Sequence, residues 1–168
     1  MKKLKFTLVI VSLITLGGCG GDNPLDLLGS PENIPTTLTL PFSSGFFGTA
    51  TVSSAYTSSS PFVTFLVPTG ANIIAPTDGV ITSISGAIGN ISISMLHGGG
   101  RLSSTVGGIY SSQVRVGSSV VKNQVIGAIS GTTAITLSLA LDGVSVCPIS
   151  FLDNTSKQAA SAYTFMCL

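Results

Sequence analysis

Between Phe42 and Leu141 the apolar residues fall in short runs rich in Val, Ile and Thr, divided by Gly, Pro, Asn and Ser. Such runs read as strands, because β-branched side chains suit a pleated surface and the dividing residues punctuate turns. The pattern predicts strands over residues 46–56, 62–67, 72–75, 80–85, 91–96, 113–116, 125–130 and 135–141. Ile91-Ser92-Ile93-Ser94-Met95 and Thr136-Leu137-Ser138-Leu139-Ala140-Leu141 alternate strictly, so each presents one dry face and one wet face. No helical stripe competes. Only residues 154–163 predict a short helix, with Asn154 or Thr155 as its N-cap. The fold class is therefore all-β, a compact barrel or sandwich with little helix.

The first forty residues follow another pattern. Met1 to Lys5 are basic, Phe6 to Leu16 are apolar, and small residues precede Cys19. This is the layout of a secretion signal. Its apolar run is too short for a hydrocarbon core that needs about 20 helical residues. Leu16-Gly17-Gly18-Cys19 resembles the bacterial lipobox. That resemblance implies a mature chain that starts at Cys19 and is held on a membrane by acyl chains, each buried methylene contributing about 0.8 kcal/mol. Gly20 after the cysteine resembles the pattern exported to the outer membrane, facing the periplasm. From Gly20 to Pro41 the chain carries Pro24, Pro31, Pro35 and Pro41 without sustained periodicity, which predicts an extended spacer. The expected organisation is a lipoprotein signal peptide with its signal helix over residues 1–18, a lipidated tether over 19–41 and a β domain over 42–168.

Composition narrows the chemistry. Of 168 residues 44% are apolar and only 8% charged, enough core formers and too little self-repulsion for disorder. Once Lys2, Lys3 and Lys5 leave with the signal, four basic residues face six acids, a balance of −2. No basic stripe remains, so nucleic acid is excluded as a partner. One His excludes any site that needs two.

Four strings, in order, carry a resemblance between Phe65 and Pro148: FLVPTGANIIAPTDGVI, NISISMLHGGG, QVRVGSSVVKNQVIGAISGT and LSLALDGVSVCPISFL. Together they resemble the lysostaphin-type (LytM-type) zinc endopeptidases that cut peptidoglycan cross-bridges. The resemblance implies a small open barrel-sandwich hybrid, a duplicated hybrid motif, with a groove. It also implies that Gly70, Gly79, Gly117 and Gly127 serve turns or close approaches. APTDGVI followed by VRVGSSVVKNQVIG is also similar to biotinyl and lipoyl carriers and to the glucose-specific phosphotransfer domain. Those functions fail on residues: no Lys lies between Lys5 and Lys122, and paired histidines are absent.

A catalytic zinc needs three protein ligands and an open position for water. In the family these come from H-x-x-x-D and from the second His of H-x-H. The corresponding positions here are Ser60 and Thr64, then Ala134 and Thr136, and the remaining catalytic His falls on Gly108 or Gly107. None is a strong zinc ligand, so no metal and no cofactor is expected, and the resemblance implies a degenerate, catalytically inactive member. Its old cleft would be lined by Ser60, Thr64, Thr136 and Ser138. His97 matches the family's hairpin H-G and reads as a structural residue at a strand end. The alternatives are a pH-sensitive contact, a weak metal site with Asp78 or Asp142, or a metal-independent hydrolase built around it. Asp78, Asp142 and Asp153 read as turn residues. Cys147 and Cys167 remain after Cys19 is acylated, and in an exported protein an even pair is most simply a disulfide, with buried free thiols as the other reading. The function implied is binding in the bacterial cell envelope, to an envelope protein or to peptidoglycan, as a regulator or recruiter of cell-wall hydrolases or as a structural component. A purely structural surface lipoprotein is the further alternative.

Overall fold

The computed structural model describes residues 37–161 and 167. The signal peptide, Cys19 and most of the spacer lie outside the described residues. The strands are β1 (Thr51–Ser54), β2 (Val63–Val67), β3 (Asn72–Ile74), β4 (Gly79–Ala87), β5 (Asn90–His97), β6 (Leu102–Ile109), β7 (Ser111–Ser112), β8 (Ser119–Val120), β9 (Val125–Ala128), β10 (Thr133–Leu141) and β11 (Val144–Val146). One helix follows, α1 (Asn154–Ser161).

All strand pairs are antiparallel. The large sheet runs β1-β2-β10-β6-β5-β4-β8, with β11 also on β10, and a small sheet runs β3-β9-β7. The order begins at β1 and ends at β8, so the sheet is open, as expected from the sequence. Alternation decides which face is dry. Val63, Phe65 and Val67 of β2, Ile135, Leu137 and Leu139 of β10, and Ile91, Ile93 and Met95 of β5 are buried together with Ile73 and Ile126 of the small sheet, in one core. Phe42 joins them, its ring centroid 5.4 Å from that of Phe65 in an edge-on contact.

Several expectations are corrected. Residues 46–56 are not one strand: Ser44–Phe46 form a 3-10 turn and pairing begins only at Thr51. Residues 113–116 form no strand; Val116 is 60% exposed, and the nearest strand is the two-residue β7 just before them, paired with β9. β6, which was not predicted, is the central neighbour of β5 and β10. The spacer ends earlier than Pro41, because Leu38 and Leu40 are fully buried. They are stitched in by Leu38 N–H to Phe151 O at 2.8 Å and by Asp153 N–H to Leu38 O at 2.7 Å. The helix cap is neither Asn154 nor Thr155 but Asp153, whose Oδ1 accepts the Ser156 N–H at 2.8 Å. The last part of the predicted helix lies outside the described residues.

Candidate functional site

The wet face of the large sheet carries short side chains in rows. Thr136 of β10 pairs with Thr64 of β2 on one side and with Gly107 of β6 on the other. The next row runs Ser83, Ser94, Thr105, Ser138 across β4, β5, β6 and β10, with Ser94 and Thr105 hydroxyls 2.9 Å apart. A third runs Leu96, Ser103, Ala140, Ser145. Period-two alternation puts the short outward side chains, most of them hydroxyls, on one face of each strand, and register aligns them between strands.

Of the positions implied by the resemblance, Thr64 and Thr136 are therefore cross-strand neighbours, and β6 adds Gly107. A Cβ built on Gly107 would lie 2.5 Å from Thr136 Oγ1 and 3.0 Å from Ser92 Oγ, so position 107 faces the row and Thr136 fills its side-chain space. Gly108 is different: its φ is +81°, and a Cβ there would lie 2.0 Å from the Ala134 carbonyl oxygen. Of the two glycines, Gly107 is therefore the one that faces this row. Ala134 is exposed two residues before Thr136 and pairs with Leu66. Ser60 closes a turn before β2, where its N–H donates to Thr57 Oγ1 at 2.9 Å. The register brings Thr64, Thr136 and Gly107 together; it does not bring Gly108 onto this face, and Ser60 belongs to the preceding turn.

That donor set does not fit zinc. Neutral hydroxyls and a glycine offer neither imidazole nor carboxylate, and a hydroxyl is a poor ligand unless it is ionised. Among the described residues no group of three His, Cys, Asp or Glu side chains is arranged to hold a metal ion.

His97 lies at the end of β5, 1% exposed, on the dry face and away from the hydroxyl rows. Its Nδ1 is 2.9 Å from the Asp78 carbonyl oxygen and its Nε2 is 2.7 Å from Ser104 Oγ. A carbonyl can only accept, so Nδ1 carries the proton and Nε2 accepts from the Ser104 hydroxyl. Burial lowers its pKa below 6.5, against the opposing pull of the Asp78 carbonyl and carboxylate. The ring packs so closely on the chain that a Cβ on Gly79 would lie 2.5 Å from Nδ1. A neutral ring held by two internal bonds is a structural histidine. Among the described residues both His97 nitrogens and both candidate acids, Asp78 and Asp142, already hold other partners. The Asp78 carboxylate accepts the Lys122 N–H at 2.7 Å, and Asp142 accepts from Arg101, whose hydrogen bond holds the Asp142 carboxyl below the ordinary carboxylate range.

Where β2 and β11 meet end to end along β10, the hydroxyl face is notched. Leu137 pairs with Val63 and Leu139 with Val146, and the notch between them holds about 180 Å³. Phe62, Ser103, Thr105, Ser138 and Ser145 line it. Sequence reading named Ser138 but missed this feature, since only the seam between two strands sharing one partner creates it. Cys147, one residue beyond β11, is bonded to Cys167 with Cα atoms 6.1 Å apart.

No protein-family model matches the sequence, and comparison with curated proteins finds no significant match. Solved structures do match. The catalytic domain of lysostaphin from Staphylococcus simulans superposes with a TM-score of 0.54 at 16% identity, over 65% of this chain and 96% of that domain. A protein named as an M23 peptidase from Pseudomonas aeruginosa gives 0.53 at 22% identity over 70% of this chain, which spans only 54% of its length. A chain of the SpoIIQ–SpoIIIAH pore-forming complex gives 0.54 at 15% identity, over 77% of this chain and 99% of that one. The open antiparallel sheet, the row shared by β2, β10 and β6, and these superpositions together give this chain the fold of the lysostaphin- and LytM-type M23 peptidase domains.

Proposed function

We propose that this chain is a catalytically inactive relative of those peptidases that works by binding in the bacterial cell envelope, anchored at the outer membrane through acyl chains on Cys19. Its partner is an envelope protein or peptidoglycan, and its role is to recruit or regulate a cell-wall hydrolase or to form part of an envelope assembly. The observation that supports this reading is the row Thr64, Thr136, Gly107, which joins three of the positions matched by resemblance to the peptidase site and offers neither imidazole nor carboxylate. Hydroxyls hydrogen-bond neutral ligands but do not polarise a scissile carbonyl as a zinc ion does. The same fold in a protein complex described as pore-forming supports an assembly role.

The test combines two measurements on the mature chain. Incubation with peptidoglycan sacculi and added zinc is expected to release no soluble fragments, while co-sedimentation or capture from envelope extract retains a partner. Zinc-dependent release of fragments would overturn the reading. Failure to retain peptidoglycan or any envelope protein would leave a purely structural lipoprotein in its place.

A further inference from the structure

The notch on the hydroxyl face has a definite chemistry. It is walled by Pro61 and the ring of Phe62, which is 38% exposed, and by Ser145 of β11; its floor is Ser103, Thr105 and Ser138. No residue lining it carries a charge. Among the described residues the side-chain hydroxyls of Ser138 and Ser145 have no protein partner. Both line the notch together with the exposed aromatic ring.

We propose that this notch is a binding subsite for one ring of a neutral oligosaccharide chain, with further rings lying along the Thr136 and Thr64 row. The inference rests on the binding role proposed above and names its ligand class. Three features select a sugar. Because the notch is uncharged, a charged ligand would give up its hydration there without gaining a counter-charge, so the ligand is neutral. The main-chain donors and acceptors of β6 and β10 lie in the sheet plane and are used in the ladder from Thr136 with Gly107 to Leu141 with Leu102. An extended peptide, which is read through main-chain hydrogen bonds at a sheet edge, finds none on this face. What the face does display is a grid of hydroxyls, spaced about 4.8 Å between strands and roughly 6.6 Å along them. Such a grid matches a ligand that itself carries hydroxyls at intervals, and Phe62 offers a flat apolar surface to the C–H face of a ring. The volume equals about six waters of liquid, so binding one ring displaces them.

The test is titration of the mature chain with a β-1,4-linked N-acetylglucosamine tetramer, followed by amide chemical shifts, beside tetraglycine as the neutral peptide. The sugar is expected to shift Phe62, Thr105, Ser138 and Ser145, and tetraglycine to leave them unmoved. Phe62→Ala should weaken sugar binding by about five- to tenfold, and Ser138→Ala by roughly threefold. Val121→Ser, at the far edge of the sheet, should change nothing. Because Phe62 precedes β2, the Ser138 variant keeps the test decisive if the Phe62 variant unfolds. The inference is overturned if the tetramer causes no shifts at the notch, or if tetraglycine shifts the same residues and the sugar does not. Retention of sacculi or of an envelope protein in either case would leave the broader binding role intact and remove only the sugar.

Discussion

His97 shows how one side chain is settled by its surroundings. In sequence it was a lone imidazole beside three glycines, open to several roles. Folding fixes its tautomer between the Asp78 carbonyl and the Ser104 hydroxyl and lowers its pKa by burial. The unfolded chain takes up this proton near pH 6.5 and the folded chain only at lower pH. Within that interval the unfolded state holds more protons, so the stability supplied by the neutral ring is lost as pH falls. The melting temperature should decline from pH 7 to pH 5 in the native chain, and that decline should shrink in His97→Gln. Asp142 and Asp153 do not confuse the measurement, because both have carboxyl groups held below the ordinary carboxylate range. For Asp153 burial opposes the lowering, and hydrogen bonds from Lys122 and Ser156 outweigh it. An unchanged pH slope in the variant would assign the effect elsewhere. The glycines follow the same logic: Gly107 and Gly108 are identical letters in the sequence, and only a bulged register turns one toward Thr136 and the other against the Ala134 carbonyl.

At the scale of elements, alternation in β5 and β10 was legible because their inward positions are Ile, Met and Leu. β6 was not, because its inward positions include Ser104 and Gly107-Gly108 interrupt it before Ile109, so the apolar period is broken where the fold needs a hydroxyl for His97 and space for Thr136. The segment Thr37 to Phe42 was hidden by its prolines, which suggested a spacer. Its alternate residues Leu38, Leu40 and Phe42 are all fully buried, and Lys122 Nζ holds Thr37 O at 2.6 Å and Asp153 Oδ2 at 2.7 Å. Each of those three side chains is worth about 2–5 kcal/mol against truncation, comparable in sum with the whole stability of a domain. A chain shortened to begin at Ser43 should therefore lack a cooperative thermal transition, while one beginning at Thr37 melts sharply. Equal melts from both would mean that the segment merely rests on the core.

The described residues join these elements into a sheet whose dry face shares one core with the small β3-β9-β7 sheet and whose wet face carries the hydroxyl rows. The Cys147–Cys167 bond ties the end of the chain to the strand that walls the notch, closing a loop with a sequence separation of 20. Such a loop costs the unfolded chain entropy worth about 3 kcal/mol. Reduction, or the double change Cys147→Ser with Cys167→Ser, should lower the unfolding free energy by about that amount in denaturant titration; a loss well under about 1 kcal/mol would show that the tail is held by other contacts. Sequence alone determined the class of the fold, the resemblance to a peptidase scaffold and the presence of Ser60, Thr64, Ala134 and Thr136 where that resemblance places metal ligands, because strand period, turn glycines and residue identities are local properties of the chain. Tertiary structure alone decided that Thr64, Thr136 and Gly107 share a row, that His97 faces inward and that two strands leave a notch beside Phe62. Those facts depend on which strands become neighbours and on the offset between them, and alternation, which fixes only the face, leaves partner choice and any two-residue offset open.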